Sequence, residues 1–144
     1  MTENNKKVHE IRAEVVAHAH HAGDQHILRL RAPEIAAQAE PGQFVHVRVS
    51  PCRPMRRPIS IMLADPARGT VDLLYKVVGA GTKELAERQP GEYLSVLGPI
   101  GRPFDLADTS RRYVLIGGGV GIPPMIFAAD RLAGRAETVL FAGS

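Results

Sequence analysis

At 144 residues, 44% of them hydrophobic and with a formal net charge of +3, the chain has room for one ordinary domain, or one domain and part of another. It has no Trp, only 5% aromatic residues and a single cysteine, Cys52. That excludes an intrachain disulfide and any iron–sulfur centre built from this chain's cysteines alone, and it argues against a nucleic-acid barrel, which needs aromatic platforms for stacking bases. The polar start Met1–Lys7 lacks an apolar signal core, and no apolar run approaches the ~20 residues that span a bilayer. A cytoplasmic protein, acting away from membranes and nucleic acids, is expected.

Residues 8–105 read as short strands separated by turn residues. The candidates are Val8–Ala17, Gln25–Arg31, Phe44–Val49, Pro58–Leu63, Val71–Val78 and Tyr93–Leu97, with Val45, Val47 and Val49 alternating with His46 and Arg48 as on a half-buried strand. Asp24, Pro41-Gly42, Asp65-Pro66, Arg68-Gly69 and Pro90-Gly91 punctuate them. This spacing predicts a small antiparallel barrel with a core of Val, Ile, Leu and Ala. One helix interrupts it, over Thr82–Arg88, with the Thr82 hydroxyl as N-cap and Gly79-Ala80-Gly81 before it. Pro99, Gly101 and Pro103, with Asp105 to Ser110, form a linker. From Tyr113 the pattern changes. The strand Tyr113–Ile116 runs into Gly117-Gly118-Gly119-Val120-Gly121, a helix covers Pro123–Leu132 until Gly134 stops it, and Thr138–Phe141 is a second strand. That is one βαβ unit.

Three constellations could carry chemistry. In Arg56-Arg57-Pro58-Ile59-Ser60-Ile61, Arg57 supplies a cation for phosphates, Ser60 and the Ile59 and Ser60 amides supply donors, and Pro58 and Ile59 supply apolar wall, the set a flavin requires. An edge strand with surface arginines fits the same residues. Gly79-Ala80-Gly81-Thr82 brings backbone close to a helix N-terminus, where a pyrophosphate is favoured; a capped strand-to-helix turn reads identically. The Gly117–Pro124 turn suits a dinucleotide, but Pro123 and Pro124 leave few amides to grip it. His18, His20, His21 and His26 lack the carboxylate or cysteine frame of a metal site and read as a solvated loop. No nucleophile, acid–base pair or metal ligand set is expected.

In this order and spacing the motifs Arg57-Pro58-Ile59-Ser60-Ile61, Leu74-Tyr75-Lys76-Val77-Val78-Gly79-Ala80-Gly81-Thr82, Gly98-Pro99-Ile100-Gly101 and Gly117-Gly118-Gly119-Val120-Gly121-Ile122-Pro123-Pro124-Met125 resemble the ferredoxin-reductase superfamily of flavoproteins. The aliphatic Ile59 and the Pro-Pro pair make them similar, within it, to the electron-transfer subunits of type B dihydroorotate dehydrogenases. The resemblance implies a mainly β fold: a six-stranded antiparallel Greek-key barrel binding FAD over residues 1–106, then the first βαβ unit of a truncated Rossmann-like NAD domain over 107–144. It implies that Arg57 contacts the FAD phosphates, that Pro58, Ile59 and Ser60 line the isoalloxazine, and that Tyr75, Lys76 and Val77 flank it. Gly81 and Thr82 would hold the pyrophosphate, and Gly118, Gly119 and Gly121 would face NAD. Electrons would pass from a catalytic dihydroorotate dehydrogenase subunit through a two-iron two-sulfur cluster to FAD and on to NAD, in pyrimidine biosynthesis. The family's four cluster cysteines are absent here, so a fragment is expected, with residues 107–144 loosely held and NAD reduction crippled in the isolated chain. A sulfide dehydrogenase or hydrogenase-type reductase subunit, or a non-catalytic flavin-binding module, is the alternative.

Overall fold

The computed structural model describes residues 7–143; the rest of the polar start, Met1 to Lys6, and Ser144 lie outside the described residues. Six strands close into an antiparallel barrel: β1 (His9–His21), β2 (Gln25–Arg31), β3 (Phe44–Arg48), β4 (Arg57–Asp65), β5 (Thr70–Lys76) and β6 (Tyr93–Ile100), in the order β1-β2-β5-β4-β3-β6. Closure depends on the long first strand. Its first half pairs with β6, from His9↔Gly98 to Glu14↔Tyr93, and its second half with β2, from Glu14↔Arg31 to His21↔Gln25. A register shift between Val15 and Ala17 gives the bend this change of partner requires.

Alternation decides the interior. Val15, Leu28, Leu30, Val45, Val47, Ile61, Val71, Leu73 and Val96 are fully buried, so the aliphatic core expected from composition is present. Phe127 joins it from outside the barrel. Two short helices cover openings: α1 (Pro33–Ala36) between β2 and β3, which the sequence did not announce, and α2 (Ala80–Ala86) between β5 and β6, whose Leu85 is fully buried.

Several expected boundaries move. β1 continues to His21, because His18, Ala19, His20 and His21 each find a partner on β2; the histidines are strand residues and not a solvated loop. β6 continues through Pro99 to Ile100, which pairs with Phe44, so the connection to the next unit begins at Gly101. α2 starts two residues before Thr82, with extended Gly79 as N-cap.

The C-terminal unit is β7 (Tyr113–Gly118), a 3-10 turn at Gly119–Gly121, α3 (Ile122–Leu132) and β8 (Thr138–Gly143), with β7 and β8 parallel. α3 packs on the outside of β4 as well as on its own two strands. Its Phe127, Ala128 and Leu132 are fully buried, and Arg131 donates to the Ala39 carbonyl at 3.2 Å. The unit is therefore not loosely held: one phenyl ring ties its helix into the barrel core, with a full burial that stabilises by about 1.5–3 kcal/mol. What is uncovered is the sheet face opposite α3, where Val114, Ile116, Val139 and Phe141 are exposed. No helix among the described residues is long and apolar enough to cross a membrane.

Candidate functional site

The ladder between β4 and β5 is short. It runs from Asp65↔Thr70 only to Ile61↔Leu73, although β4 starts at Arg57 and β5 continues to Lys76. Beyond Ile61 and Leu73 the two strands part, and each keeps only its other neighbour: Arg57 to Ser60 pair with β3, and Leu74 to Lys76 with β2. The fork leaves backbone donors and acceptors on both inner edges for something other than a strand.

Arg57 closes one end of the fork. Its guanidinium lies on Gly81 in the first turn of α2, so close that a Cβ at position 81 would sit 2.7 Å from Nη2 and 2.8 Å from Cζ. Only glycine admits that approach. The neighbouring arginines are engaged elsewhere: Arg53 pairs with Glu84, and Arg56 with Glu10 and the Ser95 hydroxyl. Arg57 donates to the Met55 carbonyl at 3.2 Å and has no carboxylate partner among the described residues. The amides of Ala80, Gly81 and Thr82 open α2 without an intrahelical acceptor and sit beside this cation. Thr82 does not cap the helix as expected. Its hydroxyl accepts from the Val78 and Gly79 amides at 2.9 and 3.1 Å and donates to the Gly79 carbonyl, so what it can offer a ligand is its N–H.

Alternation sorts the remaining residues of β4. Ile59 faces the core at 6% exposure, so its apolar side chain packs the barrel and its backbone is what it presents to the fork. Pro58 and Ser60 lie on the opposite face, and the Ser60 hydroxyl has no partner among the described residues. On β5, Lys76 is exposed. Tyr75 is buried, and its hydroxyl donates to His18 Nε2 at 2.9 Å while His18 Nδ1 donates to the Arg88 carbonyl at 2.7 Å. Burial pushes the Tyr75 phenol well above its ordinary value, so it stays a neutral donor.

The glycine turn closes the other end. Leu74, Tyr75 and Lys76 share a cavity of about 140 Å3 with Gly119, Val120 and Pro123. Gly119 has φ +52°, and a Cβ at Gly119 or Gly121 would meet nothing within 4 Å, so this backbone is open to a ligand. Gly118 is exposed and near only the Gly143 carbonyl. The tight position is Gly117, absent from the expected site, where a Cβ would meet the Gly121 carbonyl and Met125 Cγ at 3.0 Å; it lets strand and helix pack. The residues expected to serve the flavin thus lie on three adjoining pieces, the start of β4, the end of β5 with Val77 and the first turn of α2, and those expected to face NAD lie on the glycine turn beside the end of β5. A cation, first-turn amides and a long open edge between strands fit a flavin dinucleotide.

Comparison with known proteins agrees. The family model described as oxidoreductase FAD-binding domain matches residues 12–104, and the chain belongs to that family. It is therefore an FAD-binding oxidoreductase module. It is 39% identical over 125 residues to the dihydroorotate dehydrogenase B (NAD(+)) electron transfer subunit of Shouchella clausii (strain KSM-K16), covering 84% of this chain and 48% of that protein. Among solved structures it is similar to an NADH-dependent reduced ferredoxin-NADP oxidoreductase studied for flavin-based electron bifurcation (31% identity, TM-score 0.81, 92% of this chain and 49% of that one). It is also similar to the ferredoxin reductase of carbazole 1,9a-dioxygenase (28% identity, TM-score 0.84, 95% and 43%). The chain spans about half the length of the curated relatives it matches.

Proposed function

We propose that this chain is the flavin-holding part of an electron-transfer subunit of the dihydroorotate dehydrogenase B kind, moving electrons between a partner subunit and NAD. The observation that carries the reading is the Arg57 guanidinium on Gly81, with no carboxylate partner among the described residues, at one end of the β4–β5 fork, with the glycine turn at the other. Arg57 and the first amides of α2 hold the phosphates. Ser60 and the Pro58–Ser60 backbone donate to and flank the ring, with Tyr75, Lys76 and Val77 on the facing edge. When bound, FAD exchanges either a hydride or single electrons, and that chemistry belongs to the cofactor. The protein's residues bind and orient it; no side-chain acid or base is assigned.

Residues 1–106 make the FAD domain in this reading, and 107–144 the first unit of an NAD segment in which Gly118, Gly119 and Gly121 admit the dinucleotide. The support is the positive φ of Gly119 and the free space over Gly119 and Gly121. Cys52 alone offers no cluster ligand set, so the two-iron two-sulfur cluster of the proposed pathway is held outside these residues, as is the catalytic subunit that oxidises dihydroorotate. The setting we assign is the cytoplasm, where NAD is at hand. The test is a titration of the chain with FAD followed by co-purification with a catalytic dihydroorotate dehydrogenase subunit. Saturable one-to-one FAD binding and a stable complex are expected. Failure to bind FAD overturns the flavin site, and FAD binding without a complex overturns the choice of partner.

A further inference from the structure

Arg57 is aimed by its surroundings. Its guanidinium is bonded to the Met55 carbonyl and rests on Gly81, but the Met55 side chain is 72% exposed and anchors nothing itself. Whatever places Met55 therefore places the cation. The connection from β3 to β4 is pinned on both sides of Met55. After it, Arg56 is held by Glu10 and the Ser95 hydroxyl. Before it, Arg53 is held by Glu84 of α2. Glu84 lies one turn beyond Gly81, so the two share a face of that helix. The connection thus meets one face of α2 twice, Arg57 on Gly81 and Arg53 on Glu84.

Glu84 is built to hold that loop. A tight turn brings Arg53 to it, the Arg53 amide donating to the Ser50 carbonyl at 3.2 Å. The Ser50 hydroxyl lies against the same carboxylate and, ahead of Arg53, keeps its pKa below the ordinary value, so Glu84 stays charged. The Arg88 guanidinium, 3.7 Å away, steadies it from its own side of the loop. Freely exposed ion pairs contribute little, but this carboxylate is only 24% exposed and is shared among three neighbours. By charge alone, a carboxylate one turn from Gly81 opposes an anion there. Its placement makes sense as a latch. We propose that Glu84 is a positioning residue for FAD: through Arg53 it holds the β3–β4 connection against α2, so that Arg57 is aimed at the phosphates before the cofactor arrives. The inference rests on the flavin reading and deepens it, since that reading assigns neither Glu84 nor Arg53.

Charge and position predict opposite results. Glu84→Gln removes a negative charge and Arg53→Met a positive one, so a field effect alone would tighten FAD binding in the first and weaken it in the second. Positioning weakens it in both, by about three- to tenfold if the aimed population of Arg57 falls to about a third to a tenth. The double variant loses no more than either single one, because each breaks the same latch. In an Arg57→Met background neither change has a further effect. Flavin-fluorescence titration of the full chain at constant ionic strength reads all of these, with melting of the apo protein as the control for stability. Tighter binding by Glu84→Gln, additive losses, or losses that persist in the Arg57→Met background overturn the proposal. Should one variant fail to fold, the other, compared with and without Arg57→Met, decides it. Wild-type binding with both variants unchanged overturns the latch alone; a wild-type chain that does not bind FAD overturns the flavin reading and the latch with it.

Discussion

Replacing Gly81 by alanine separates binding from folding. The new Cβ would stand 2.7 and 2.8 Å from Arg57 Nη2 and Cζ, against ~3.5–4.0 Å for an unstrained carbon contact. The guanidinium must retreat by about 1 Å. It is the far end of a flexible side chain with one carbonyl bond to lose, so the fold gives way cheaply. Gly81 is helical and its φ is not positive, and alanine in a helix interior is favoured over glycine by about 0.5–1 kcal/mol. The apo protein should therefore be as stable as wild type or slightly more so. Affinity moves the other way. Pulling Arg57 off the phosphates removes a charge-assisted contact of about 1.5–3 kcal/mol, or about 10- to 150-fold in the FAD dissociation constant. Quenching of flavin fluorescence gives the affinity, and thermal melting of apo protein gives the stability. Unchanged FAD affinity, or an affinity loss fully accounted for by a drop in apo stability, would refute the argument.

Arg57→Met should weaken FAD binding by a similar factor with little change in apo melting, because no carboxylate loses its partner; an equal effect from Arg56→Met, whose partners are Glu10 and Ser95, would mean the wrong arginine has been assigned. Phe127→Ala should destabilise the chain by about 3–5 kcal/mol in urea unfolding, since a fully buried ring joins α3 to the barrel core; a change near zero would show that the C-terminal unit contributes nothing to the barrel. His26 is stacked between His20 and Tyr75, and its proton affinity is held below the ordinary value of 6.5, first by burial and then by His20 and His18, with Asp24 pulling the other way. The unfolded chain then takes up that proton first. Stability is full above 6.5 and declines as pH falls below it. The urea midpoint should decrease from about pH 7 to pH 5, and His26→Gln should flatten the decline; an identical slope in the variant would place the titration elsewhere.

The barrel was legible because its strands obey a two-residue period: Val45 and Val47 alternate with His46, and both valines are fully buried. The boundaries that moved did so where tertiary pairing outweighs residue type. His18–His21 look like a polar loop, yet they pair along β2, where His20 stacks on His26; Pro99 looks like a breaker, yet β6 runs through it at the register shift between Leu97 and Ile100. The order of motifs named residues that the fold brings together around the fork, but not the faces on which they lie. Ile59 was read as wall and turns inward, which the parity it shares with Ile61 could have revealed. The fork left no mark in the sequence, because where a ladder stops depends on which strand each edge meets. Arg57 and not Arg56 was the expected phosphate contact, and the fold separates the two: Glu10 and Ser95 engage Arg56, while Arg57 lies against Gly81.

The central claim is that a flavin occupies the fork between β4 and β5. Hydrogen exchange of the backbone amides with and without FAD tests it most directly. The account predicts new protection at Ile59 and Ser60 and from Leu74 to Thr82, with the outer edge of β1 unchanged. Protection absent from the start of β4 and the first turn of α2, or concentrated elsewhere on the barrel, would contradict it.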